Sequence, residues 1–92
     1  MTDRELLEAA AKAAGLWDAR EQCIDIPWNP LFDDGDALRL ACDLRLEVLP
    51  RWRCAEVRNG VEIIIEYCED EPALRCAATR RAIVRAAAAI GR

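Results

Sequence analysis

The stretch "WRCAEVRNGVEIIIEY", Trp52 to Tyr67, narrows the fold more than any other part of the chain. Two runs of alternating character flank Asn59-Gly60, the pair that best tolerates the positive backbone dihedrals of a type I′ turn, so the stretch reads as an antiparallel hairpin. A two-residue turn sets Arg53 opposite Glu66, Cys54 opposite Ile65 and Trp52 opposite Tyr67. Alternation then predicts a buried face of Trp52, Cys54, Val61, Ile63, Ile65 and Tyr67, and a solvent face carrying Arg53, Glu62 and Glu66. Upstream, Leu46 and Val48 alternate with Arg45 and Glu47, which predicts a third strand near 45–49 that Pro50 ends.

Three strands need a partner layer, and the flanking segments read as helices. Thr2-Asp3-Arg4-Glu5 is a capping box, Leu6, Leu7, Ala10, Ala13 and Ala14 form one apolar stripe, and Gly15 is a left-handed stop, so a first helix is expected over residues 3–14. Pro30 keeps Asn29 out of helical geometry, and Asp33 or Asp34 caps a second helix whose buried face is Ala37, Leu38, Leu40, Ala41 and Leu44. Glu69-Asp70-Glu71-Pro72 opens a third, with acids at the positive end and proline near its first position. Cys76, Ile83, Ala86, Ala87 and Ile90 form the inward stripe of that helix, and Arg81, Arg85 and Arg92 its far side. Between the first two helices, Cys23-Ile24-Asp25-Ile26 alternates weakly. Either a short edge strand ended by Pro27, or a further helical turn over Asp18 to Gln22, fits that segment. The whole predicts a single α+β domain over residues 1–92: a three-stranded antiparallel sheet with about three helices packed mainly on one face.

Composition bounds what such a domain can do. Ninety-two residues give one modest core and no cleft between lobes, and seventeen alanines predict a thin core between closely packed helices. No apolar run approaches the roughly 20 residues that span a bilayer. The N-terminus lacks a signal-peptide layout, so no membrane is expected and the chain reads as cytoplasmic. Cys23, Cys42, Cys54, Cys68 and Cys76 form no C-x-x-C pair and have no histidine beside them, which predicts reduced thiols, mostly packed as small apolar residues, and no structural zinc.

Charge is unevenly placed. All seventeen acids lie at or before Glu71 with eight bases, leaving minus 9 over residues 1–71 against plus 5 over 72–92. An acidic body with a basic tail helix argues against general nucleic-acid affinity. Arg75, Arg80, Arg81, Arg85 and Arg92 could still make a phosphate-binding stripe, but a solvated face with ion pairs is the plainer reading.

Serine and histidine are absent, which removes nucleophilic triads, and the four glycines form no phosphate loop. Asp33, Asp34 and Asp36 together with Glu69, Asp70 and Glu71 could in principle hold a divalent cation. The Asp-Asp-Gly-Asp run nevertheless lacks calcium-loop spacing, and a helix N-terminus explains its acids without a metal. No enzyme activity and no cofactor are therefore expected, with a small carboxylate metalloenzyme as the remote alternative.

"WNPLFDDGDALRLACDLRLEV" and "ALRCAATRRAIVRAAAAIGR", with the Arg-Glu-Leu-Leu-Glu-Ala-Ala-Ala-Lys-Ala-Ala-Gly start, cover more than half the chain. In these segments it resembles short proteins of phages and prophages of Proteobacteria, and it is distantly similar to the NinX-like domain of unknown function. The resemblance implies a phage-borne accessory gene product; small size, an acidic body and the lack of catalytic residues add the expectation that it binds a host or phage protein, with an inhibitor of a host defence complex, like an anti-CRISPR, as the specific form. An acidic surface can imitate nucleic-acid phosphate. The expected partner surface is Asp33, Asp34, Asp36, Glu69, Asp70 and Glu71, with Trp28 as an aromatic anchor. The alternative is a nucleic-acid-binding regulator using the arginines of the last helix. Both a monomer and a homodimer are compatible with the sequence.

Overall fold

The computed structural model describes residues 1–24 and 26–91, so the Asp25 part of the weak alternation and Arg92 lie outside the described residues. The elements are α1 (Asp3–Ala14), β1 (Trp17–Asp18), β2 (Cys23–Ile24), α2 (Asp34–Asp43), β3 (Glu47–Arg51), β4 (Cys54–Arg58), β5 (Ile63–Tyr67) and α3 (Pro72–Gly91). The fold is α+β, with β3-β4-β5 as a three-stranded antiparallel sheet and β1-β2 as a separate small pair.

Local chemistry accounts for each helix boundary. Thr2 accepts from the Glu5 amide and the Glu5 carboxylate accepts from the Thr2 amide, while Gly15 at φ 74° closes α1. Asp33, of the two candidate caps, begins α2 by accepting from the Asp36 amide. At its end the Arg45 amide donates to Cys42 and the Leu46 amide to Ala41, a Schellman closure with Arg45 in the left-handed conformation at φ 55°. Between α1 and α2 the chain folds as a hairpin and not as a helical turn, pairing Trp17 with Ile24 and Asp18 with Cys23. The Asp18 side chain accepts from the amides of Arg20 and Glu21 at 2.9 and 3.2 Å and so closes the loop.

The main sheet departs from expectation in register and in face. Cys54 pairs with Tyr67, Val57 with Ile64 and Arg58 with Ile63, which centres the turn on Gly60-Val61, one residue later than a turn on Asn59-Gly60. The Asn59 side chain holds the chain in this turn: its Oδ1 accepts from the Val61 and Glu62 amides at 3.0 and 2.8 Å, and its Nδ2 donates to the Ala86 carbonyl of α3 at 3.1 Å. The buried face carries Ala55, Val57 and Ile64, so the expected inward set is reversed: Trp52, Val61, Ile63, Ile65 and Tyr67 are exposed and Cys54 half-buried. Ala55 and the buried alanines of α3 keep this contact close, while the outer face carries Glu56 between Arg51 and Arg58.

Pro50 does not end β3, which runs through it to Arg51. The Cys68 amide donates to the Arg53 carbonyl and the Asn59 amide to the Glu62 carbonyl, so odd-numbered residues of β4 bond to β5 and even-numbered ones to β3. Pro50, opposite Ala55, then has its nitrogen on the free edge, where no ladder bond is lost.

The core is thin, as the alanine content implies. Leu40, Val57 and Val84 are its largest fully buried apolar side chains beyond Pro30, and alanines 82, 86, 87 and 88 of α3 fill the rest with Leu6, Ala9 and Ala10 of α1. On the helices, three expected inward residues are exposed instead: Leu38 on α2, and Cys76 and Ile90 near the two ends of α3. None of the five cysteines is buried and none is bonded to another; Cys23, Cys42 and Cys76 are exposed, which corrects the expectation that they pack inside.

Candidate functional site

The Asp-rich stretch is built as a self-closing helix entrance. The Asn29 amide donates to the Asp36 carboxylate at 2.8 Å, folding the Trp28-Asn29-Pro30 turn back onto the first turn of α2. Arg39 donates to the same carboxylate from one helical turn on, at 2.7 Å. The Asn29 amide and then Arg39 hold the Asp36 carboxyl below its ordinary range. Asp33 is spent as the cap, and Asp34 accepts from Arg80 of α3 at 2.6 Å. Arg80 is the hub of this end of the molecule, since its Nε also donates to the Leu31 carbonyl at 2.8 Å.

Trp28, the expected anchor, is half-buried against the core, whereas Phe32 of the same motif is 75% exposed. The second group of acids lies at the entry to α3. Asp70 pairs with Arg75 at 2.5 Å, and Glu69 and Glu71 are exposed at the entry to α3, the backbone carbonyl of Glu71 accepting from the Arg75 amide. Among the described residues, no three carboxylates or thiols lie close enough together to hold a metal ion.

The arginines of α3 are likewise occupied within the chain. Arg75 bonds Asp70, Arg80 bonds Asp34, Arg81 reaches Asp3 at 3.0 Å, and Arg85 donates to Glu66. Each of these four side chains makes an ion pair with the acidic body.

Two apolar surfaces remain. A groove of about 350 Å³ runs between α2, α3 and β3, floored by Ala37, Ala41, Val48 and Ile83 and edged by the Asp34–Arg80 pair. The other lies on the outer sheet face along β5, where Ile63, Ile65 and Tyr67 are 58%, 39% and 79% exposed. Trp52, at the β3–β4 turn, is 75% exposed, with the Arg53 guanidinium over its ring. On β4 and β3 the same face is charged, with Glu56 accepting from Arg58 at 2.7 Å and Arg51 at 3.3 Å. Those two arginines, Arg58 foremost, hold the Glu56 carboxyl below its ordinary range.

Sequence reasoning missed this strip because Ile63-Ile64-Ile65 puts apolar residues on both faces of β5. The deciding signal was on β4, where Glu56 and Arg58 share one parity and Ala55 and Val57 the other. No helix among the described residues is long and apolar enough to cross a membrane. Compared with protein-family models, curated proteins and solved structures, the chain matches none.

Proposed function

We propose that the chain is a protein-binding accessory protein that acts by covering part of a partner's surface. The exposed strip of Ile63, Ile65 and Tyr67 carries this reading, because an unbroken apolar row beside a charged field has the layout of an interface centre with a polar rim. Tyr67 and Trp52 supply the aromatic residue types that dominate binding energy at such centres. The phage-like motifs support a phage or prophage origin, action in the cytoplasm of a bacterial host, and a host or phage protein as partner, with a defence complex as the particular target. Of the acids expected as contacts, Glu69 and Glu71 suit a rim role, while Asp33, Asp34, Asp36 and Asp70 are paired within the chain.

The test is capture of partners from host lysate by tagged chain, beside a Tyr67→Lys, Ile63→Lys variant and an Asp33→Ala, Asp34→Ala variant, each checked for folding by circular dichroism. A stoichiometric protein retained by the parent and the Asp variant, and lost from the strip variant, is the expected result. A partner that the strip variant still holds would overturn the assignment of the surface.

A further inference from the structure

We infer that β5 is the pairing edge for a second copy of this chain, joining two three-stranded sheets into one antiparallel six-stranded sheet about a two-fold axis at Ile65. This deepens the proposed function, since it specifies how the binding strip is assembled.

The sheet has two open edges, and they differ. On β3 the outward-facing positions are Val48 and Pro50, and proline has no amide to donate, so strand addition there is interrupted. On β5 the bonds to β4 are made by Ile64 and Glu66, which leaves the amides and carbonyls of Ile63, Ile65 and Tyr67 pointing away from the sheet. No proline falls in β5, and its three edge residues are uncharged.

The phase of that edge is self-complementary. With Ile65 opposite Ile65 of a second copy, Ile63 stands opposite Tyr67 and Tyr67 opposite Ile63, and all three positions fall on hydrogen-bonded pairs. Outer-face neighbours become Ile–Ile and Ile–Tyr, pairings that favour antiparallel strands. Shifting the two-fold to Ile63 or Tyr67 moves part of each edge beyond the strand, so the Ile65 register uses the most of it.

Charge agrees with this register. On the inner face Glu66 of the second copy stands opposite Ile64, about one strand spacing of roughly 4.8 Å from the edge. There Arg85 donates both to its own Glu66 and, at 3.3 Å, to the Ile65 carbonyl. The two-fold therefore brings the two Arg85–Glu66 pairs together across the axis, two cations with two anions, and sets no carboxylate directly opposite another: Glu62 meets Cys68, and Glu69 meets Val61. The carbonyl of Ile65 has a second lone pair for the incoming strand. On the outer face the two apolar strips meet at the centre and the charged β3 and β4 rows flank them.

A five-residue edge pair buries less than the roughly 1,200–2,000 Å² of a stable interface, so the dimer is a weak one that forms with rising concentration. Sedimentation of the full chain across concentrations from low to high micromolar should show the mass doubling. Exchange of the Ile63, Ile65 and Tyr67 amides should slow as the dimer fills, while Ile64 and Glu66 stay protected throughout. Ile65→Pro removes only an outward amide and should hold the chain monomeric with its circular dichroism intact. Ile63→Lys, which leaves the backbone unchanged, provides the check should the proline variant fail to fold. A chain that stays monomeric at high concentration with fast edge amides overturns the inference, as does protection of those amides only by a different protein. Mass is read without any partner present, so a monomer that still captures its partner sinks the dimer alone, and a dimer that captures nothing sinks the binding function alone.

Discussion

Gly91 ends α3 against the backbone of Ala9 in α1, so close that a Cβ placed on Gly91 would lie 1.9 Å from the Ala9 carbonyl oxygen and 2.9 Å from the Ala13 nitrogen. Backbone on the far side cannot give way as a flexible side chain would. Gly91→Ala should therefore splay α1 from α3 or fray the helix end, and overpacking of this kind costs about 1–3 kcal/mol. Urea unfolding measures it directly. Gly60→Ala is the useful contrast, since its Cβ would meet nothing within 4 Å and any cost there comes from φ at 91°.

Arg80 is expected to matter far more than the carboxylate it pairs with. Its side chain is 17% exposed, and it spans the Leu31 carbonyl and Asp34, whereas Asp34 is 75% exposed. An ion pair with one partner in water contributes little, so Asp34→Ala should cost below about 1 kcal/mol. Arg80→Ala removes a charge-assisted bond to a part-buried carbonyl together with the packing of its stem, for about 1.5–3 kcal/mol. Equal losses in the two variants, read by thermal unfolding, would show that the surface pair carries the contribution.

The helices were legible because their signals are local. Thr2 with Glu5, Gly15, Asp33 and Pro72 each act within one turn, and each does in the structure what its residue type suggests. The sheet depended on long-range information. Asn59 reads as a turn residue from sequence, but its bond to Ala86, twenty-seven positions away, helps place the turn one residue later. Whether Ile63 and Ile65 or Ile64 face inward depends on which row the alanines of α3 can approach, and local alternation is silent on that. The motif acids were legible as a helix entrance, whereas their internal partners Asn29, Arg39 and Arg80 were not.

Arg45 occupies a conformation that suits glycine. It sits at φ 55° in the Schellman closure of α2, is exposed, and makes no side-chain bond among the described residues. A left-handed L-residue costs roughly 1–2 kcal/mol, part of which glycine returns through greater freedom in the unfolded chain. Arg45→Gly should raise stability by about 0.5–1 kcal/mol. A lower melting temperature for this variant would mean that Arg45 contributes an interaction beyond its backbone.

Asp36 ties the Asn29 turn to α2, and its depressed pKa makes that tie dependent on pH. Its carboxyl is held below its ordinary 3.8, first by the Asn29 amide and then by Arg39; Glu5 and Glu56 are likewise held below their ordinary 4.5. In the unfolded chain these groups take up protons at the ordinary values, so between those values and the lower folded ones the unfolded state binds more protons. Stability is therefore fully present above about pH 5 and falls as acid carries the solution through the folded values. Asp36→Ala should cost about 1.5–3 kcal/mol at neutral pH, because it removes a charged acceptor from a backbone amide and a guanidinium. Below the ordinary value the parent loses the same contribution, so the difference between parent and variant should shrink as the pH falls. Guanidinium unfolding of both chains over an acid series reads that difference, and a gap that stayed constant would assign the role of Asp36 to packing instead of charge.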